Sequence, residues 1–147
     1  MKLTEYFNII DKLITLSHDA ETKVGALLLS RETKDIVEFS TNTFIDSSLE
    51  TKLPNKRPGK YQYIQHVEAR LIYQCARYAV VSDNCIVICS HSPCLNCMRI
   101  LYQAGIDTIY FKEVRKDLDN VNYALDLRGK LTKLKNGYYK LKLSIRR

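Results

Sequence analysis

Four residues carry the most chemistry: His66 and Glu68, separated by Val67, and Cys94 and Cys97 in the run Pro93-Cys94-Leu95-Asn96-Cys97. Two cysteines three apart at the start of a helix present both sulfurs on one side, and a helix N-terminus favours thiolates over thiols. With the His66 imidazole they make three N/S donors of the kind Zn²⁺ takes in a tetrahedral shell; three protein ligands leave the fourth position to water, the layout of a catalytic site. Glu68 need not bind the metal and is available to move protons beside it. Two other readings use the same residues. His91 could complete a closed, four-ligand structural site, which leaves Glu68 without a role. A redox Cys-x-x-Cys would need a thioredoxin-like βαβ context, which the flanking sequence lacks.

The elements that must position these residues alternate between helical and strand periodicity, which predicts an α/β sandwich. Leu3, Phe7, Ile10, Leu13 and Ile14 predict an amphipathic helix over Leu3–Leu16. The runs 23–30 and 35–41 predict a strand hairpin. Asn42–Lys60 holds two of the three prolines and little periodicity, and loops of that length in compact domains are usually functional or disordered. Helical spacing returns over Tyr61–Ala79, and Cys85–Ser90 reads as a core strand. Ser92 as N-cap, Pro93 at the first helical position and Gly105 as the stop frame the cysteine helix. A strand over Asp107–Lys112 and a helix over Asp117–Leu127 follow. Near the end, Tyr139, Leu141, Leu143 and Ile145 alternate with Lys140, Lys142, Ser144 and Arg146, and Asn136-Gly137 just before them is a two-residue hairpin signal.

The 147 residues support one domain, 1–147, and 46% hydrophobic content excludes wholesale disorder. No apolar run approaches membrane-spanning length, and the N-terminal segment has the pattern of neither a signal peptide nor an anchor. The five cysteines, an odd number, do not form a secreted disulfide framework; reduced thiols in a cytoplasmic protein are expected. The net charge of +7 is unevenly placed. Residues 1–111 carry 12 basic and 12 acidic side chains, whereas 112–147 carry 11 and 4, and 128–147 hold eight basic residues and no acid. A neutral body with a basic, hairpin-like C-terminal extension over 128–147 results, offering either a footprint for nucleic acid or a solvated strand face.

At the level of motifs the chain resembles the cytidine deaminase superfamily, and within it the deoxycytidylate (dCMP) deaminases. The His-x-Glu…Pro-Cys-x-x-Cys pattern is the signature of zinc-dependent nucleobase deaminases. The segment Ser17-His18-Asp19-Ala20-Glu21-Thr22-Lys23-Val24-Gly25-Ala26 resembles the family's S-x-D-x-x-T-K-V-G-A lead into the first strand. Lys60-Tyr61 ahead of His66-Val67-Glu68-Ala69, and Ala104-Gly105-Ile106 after the cysteine helix, match in order, so the resemblance covers about residues 3–112. It implies a three-layer α/β/α sandwich around a mixed sheet of about five strands, usually oligomeric. It also implies zinc on His66, Cys94 and Cys97, and Glu68 as the proton shuttle. Gly25 and Ala26 would floor the base pocket, the backbone at Val67 and Ser92 would contact the base edge, and Asn42 would contact the sugar. Asn42 as an ordinary turn residue is the alternative.

There are departures. Ser40-Thr41-Asn42-Thr43 stands where the family has G-Y-N-G, and no G-x-P-x-G run follows to help bind phosphate. Lys52, Lys56, Arg57 and Lys60 offer replacement charges, or simply a solvated loop. The basic tail matches nothing in the family. The resulting expectation is hydrolytic deamination of a cytosine deoxynucleotide, dCMP to dUMP and ammonia, by a homo-oligomer away from any membrane. A deaminase acting on single-stranded nucleic acid or tRNA is one alternative. A non-catalytic zinc-bearing subunit is the other, and Glu68 argues against it.

Overall fold

The computed structural model describes residues 2–46, 48, 52–114 and 129–145. Helix α1 (Leu3–Leu13) runs on as a 3-10 turn over Ile14–Leu16, and strands β1 (Gly25–Leu29) and β2 (Ile36–Thr41) form the expected hairpin. Then come α2 (Val67–Tyr78), β3 (Ile86–His91), α3 (Leu95–Gln103) and β4 (Thr108–Glu113), with β5 (Lys130–Lys133) and β6 (Tyr139–Lys142) at the end. The helix expected over Asp117–Leu127 lies outside the described residues, as do Arg128, Arg146 and Arg147.

The sheet has the order β2-β1-β3-β4-β6-β5, with β3 and β4 parallel and every other pair antiparallel. Six strands stand where about five were expected, because both arms of the C-terminal hairpin join the sheet through β4. Strands β1 and β3 are apolar on both faces, as strands buried between two helical layers must be. Leu27, Leu29, Ile86 and Ile88 pack against Tyr6, Phe7 and Ile10 of α1. On the opposite face Ala26, Leu28, Val87 and Cys89 meet Val67, Leu71 and Cys75 of α2 and Met98 and Leu101 of α3. The three-layer α/β/α arrangement follows from these two faces.

Three local expectations shift. Helix α2 begins at Val67, since Gln65 is held extended by a two-way backbone bridge to Thr43 (3.3 and 2.9 Å); just upstream, Gly59–Gln62 coil as a 3-10 turn. Ser92 is not the N-cap of α3, nor is Pro93 its first residue. The Ser92 N–H is still committed to the Glu113 carbonyl (2.8 Å), and Cys94, extended at φ −69° and ψ 168°, caps the helix by accepting the Cys97 N–H on its sulfur. The β5–β6 turn holds three residues, Lys135–Gly137, inside a Leu134 N–H to Tyr138 carbonyl bond of 2.7 Å, with Gly137 at φ +88°.

Gly105 ends α3 at φ +87°, and a Cβ there would sit 2.2 Å from Asp83 Oδ1 and 2.9 Å from its Cα. Gly105→Ala is therefore expected to destabilise the fold by more than the ~1–2 kcal/mol of left-handed backbone alone. A lowered melting temperature checks this; an unchanged one rejects the strain.

Candidate metal centre and adjoining cleft

Strands β2, β3 and β4 all run opposite to β1. The chain thus leaves β2 and β3 at the same sheet edge, and α2 and α3, which follow them, both start there. His66 is the N-cap of α2 and Cys94 that of α3, and Cys97 lies in the first turn of α3. The helix starts bring the three donors together: His66 Nδ1 is 3.5 Å from Cys94 Sγ and 3.4 Å from Cys97 Sγ, and all three ligand atoms lie within 4.8 Å of one another.

That spacing fits zinc. Sulfur at about 2.3 Å and nitrogen at about 2.0–2.1 Å from one ion, at a tetrahedral angle, are roughly 3.5 Å apart. The electrostatics point the same way. A hydrogen bond from Cys97, opposed by burial but helped by His66 and the Cys97 N–H, pulls the Cys94 thiol down. Its counterpart Cys97 is pushed up by that same bond, by burial and by Glu68. A cation between the sulfurs removes this competition by favouring both thiolates.

His91 does not join the group. Its Nε2 pairs with Glu113 Oε2 at 3.1 Å and its Nδ1 lies 3.0 Å from Ser90 Oγ, so the closed four-ligand reading lacks its fourth ligand. None of the five cysteines is in a disulfide. Glu68, in the first turn of α2, is buried, and Cys89 Sγ donates to its Oε1 at 3.7 Å.

A cleft opens beside His66, Val67 and Glu68, and its other lining residues include Asp19, Asn42, Arg57 and Lys60. Of the residues expected to contact substrate, Asn42 and Val67 line it; Gly25, Ala26 and Ser92 do not. Gly25 is needed small for another reason, since a Cβ there would come within 3.0 Å of Ile14 Cγ2 and 3.2 Å of Ile10 Cγ2, against α1. Ala26 is fully buried in the core between the sheet and α2–α3.

Asn42 is more than a turn residue. Its Oδ1 accepts from the Val24 N–H (2.8 Å) and Ser17 Oγ (2.7 Å), and its Nδ2 donates to the Thr22 carbonyl (2.8 Å) and Asp19 Oδ2 (3.3 Å). The amide thus ties the segment before β1 to the end of β2 and fixes the cleft wall.

Asp19 and Lys60, each part of a matched motif, meet as a buried pair that motif spacing does not indicate. Their side chains are only 5% and 4% exposed, and Lys60 Nζ donates to both Asp19 oxygens at 2.9 Å. Burial would raise the Asp19 carboxyl, but the Thr22 N–H, Lys60 and the Glu21 N–H outweigh it and hold the group below its usual range. Arg57 reaches Glu21 (3.2 Å), Thr22 Oγ1 (2.9 Å) and Tyr61 Oη (2.8 Å). The sequence signal for Asp19 was present, as the acid of the S-x-D-x-x-T-K-V-G-A run, but its partner lies 41 residues away.

An open three-donor zinc site at the edge of an α/β/α sandwich, with a buried carboxylate two residues from one ligand, is the class that fold and site define. Residues 2–113 match the family described as the cytidine and deoxycytidylate deaminase zinc-binding region, and the chain belongs to that family. Among curated relatives, ComE operon protein 2 of Bacillus subtilis (strain 168) is 38% identical over 48 residues, 33% of this chain and 25% of that protein. The deoxycytidylate deaminase of Homo sapiens is 29% identical over 114 residues, 73% of this chain and 62% of that one. The match thus spans less than two thirds of either relative. The crystal structure of the dCMP deaminase from cyanophage S-TIM5, in complex with dCMP and dUMP, superposes with a TM-score of 0.73 at 22% identity, covering 86% of this chain and 93% of that one. A cytidine deaminase from Burkholderia pseudomallei gives 0.51 at 13% identity over 76% and 83%. At those identities the two structures speak for the fold. No helix among the described residues is long and apolar enough to cross a membrane.

Proposed function

We propose that the protein is a zinc-dependent deaminase that converts dCMP to dUMP and ammonia. One observation carries the reading: three N/S donors at zinc spacing, open at the fourth position, beside the buried Glu68. His66, Cys94 and Cys97 would hold the metal, which when bound brings the ionisation of a water into the neutral range.

Glu68 then manages the protons. It accepts one proton from the attacking water and passes it to N3 of the base as the water oxygen bonds to C4. It then takes the remaining proton from that C4 hydroxyl and delivers it to the amino group as the C4–N bond breaks, the C4 carbonyl forms and ammonia leaves. The hydrogen bonds of Asn42, Asp19 and Lys60 join the segments that form the buried wall of the cleft. Relatives named for deoxycytidylate deamination, and a structural neighbour solved with dCMP and dUMP, support the choice of substrate.

The phosphate must find a cation. Lys60 is buried against Asp19, whereas Arg57, although it also pairs with Glu21 at 3.2 Å, lines the cleft with its side chain 50% exposed and is the better candidate. Arg57→Gln is therefore expected to raise KM for dCMP about tenfold while changing KM for deoxycytidine little. Equal effects on both would remove Arg57 from phosphate recognition. Ammonia release from the zinc-loaded protein with dCMP, dCTP, cytidine and a cytosine-containing oligonucleotide tests the reading as a whole. Turnover of dCMP above the others is expected; preference for the oligonucleotide, or no turnover of any, overturns it. The homo-oligomer belongs to the same proposal. The exposed side chains of Leu16, Phe39, Ile45, Tyr73 and Tyr78 surround one groove beside β2 and support self-association, which sedimentation velocity reads directly.

A further inference from the structure

The lysines of the C-terminal hairpin are not scattered over it. Ile109 and Phe111 of β4, Leu131 of β5, and Leu141 with Leu143 just beyond it on and after β6 point into the core shared with α2 and α3. Strand alternation puts Tyr110 and Lys112 of β4, Lys130 and Thr132 of β5, and Lys140 and Lys142 of β6 on the opposite side of the sheet. The register confirms the grouping: Lys130 is directly across from Lys142, Thr132 from Lys140, and Tyr110 from Lys140. Lys112, Lys130 and Lys142 are exposed, and the Lys140 ammonium lies 5.7 Å from the centre of the Tyr110 ring.

This arrangement costs the fold something. Like charges directly opposite on paired strands repel, and Lys130 faces Lys142. The three strands place no acid on this side. Asp107, just before β4, reaches Lys142 at 3.1 Å but is shared with Arg31, so one carboxylate serves two cations. Glu113 is on the other side, with His91. A polyanion laid over the strands would relieve the surplus, and Tyr110, half-buried against the cluster under α1, is set among the lysines as aromatic rings are on surfaces that meet bases as well as phosphates.

We propose that this face of β4, β6 and β5 binds the backbone of single-stranded nucleic acid, on the side of the sheet opposite the helices that carry the metal ligands. It is a second binding function, separate from the cleft, and does not require the bound strand to be deaminated.

The test is fluorescence anisotropy of a labelled 20-nucleotide oligothymidylate with the zinc-loaded full chain, from 50 to 300 mM salt. Log affinity is expected to fall linearly with log salt, by about 0.7 per phosphate contact. The triple variant Lys112→Gln, Lys130→Gln, Lys140→Gln should weaken binding at least tenfold at 50 mM salt and flatten the slope by about 2. Deamination should remain within twofold of the parent, which reports that the fold is intact. If the triple variant melts, Lys130→Gln alone, on the exposed edge strand, should still flatten the slope by about 0.7. Lys52→Gln, Lys56→Gln, in the loop on the cleft side, is the control and should bind as the parent does. No binding at 50 mM salt overturns the proposal. So does an unchanged triple variant, loss confined to the cleft-side control, or equally tight binding of a polyglutamate of matched charge.

Discussion

Glu68→Gln is expected to lower kcat by about 10²–10⁴-fold, the usual contribution of a positioned acid–base group, with zinc still bound at one per chain. Glutamine matches the shape of the carboxylate and keeps an oxygen to accept from Cys89 Sγ, 3.7 Å away. What it cannot do is take and return a proton. The metal ligands are untouched, so metal content by elemental analysis should not change. Glu68 is 1% exposed, and an ionised carboxylate at such a site is costly to bury. The variant should melt at the same temperature or higher, which separates loss of chemistry from loss of fold. Near-parental turnover would remove Glu68 from the reaction, and loss of zinc would make it a structural part of the metal site instead.

The second large effect concerns stability. Lys60→Met leaves Asp19 buried with the N–H groups of Glu21 and Thr22 and the Asn42 amide but without its countercharge. Breaking a buried pair from one side costs about 3–5 kcal/mol. The alternative, protonating a carboxyl of ordinary pKa near 3.9 at pH 7, costs about 4 kcal/mol, so protonation offers little escape. For a chain of this length the melting temperature should fall by roughly 10 °C or more. Lys60→Met with Asp19→Asn should recover much of it, because asparagine keeps an oxygen for the two N–H groups and carries no charge. No recovery would mean the stability lies in packing of the lysine stem.

The pH dependence runs in opposite directions in the two proteins. In the parent, the folded Asp19 carboxyl is held below its usual range, so its contribution is complete above the unfolded pKa near 3.9 and is lost as pH falls through the lower, folded value. In Lys60→Met the folded carboxyl is the harder one to ionise, so the deficit narrows on acidification. Denaturant midpoints at pH 7, 5 and 4 should therefore converge.

What the sequence could show, it showed through short-range geometry. A cysteine spacing of three at a helix start fixes both sulfurs on one side whatever the rest of the chain does, and His66 two residues before Glu68 places ligand and carboxylate on one helix start. The apolar runs of β1 and β3 likewise announce strands covered on both faces. The start of α3 lies two residues beyond the Ser92-Pro93 capping signal, because the last sheet bond of Ser92 goes to Glu113, which local capping preference cannot foresee. Lys60 looked like one more loop cation. Only the chain's return past Asp19 buries it, and burial decides whether a lysine is a free charge or half of an ion pair.

The C-terminal segment divides the same way. Alternation of Tyr139, Leu141 and Leu143 with lysines fixed which side chains turn inward, since a strand has no other way to separate them. That this strand pairs with β4, so that Lys112, Lys130, Lys140 and Lys142 share one face, depends on register between segments distant in sequence. Periodicity within one strand carries no information about its neighbour; the tertiary structure alone decided that.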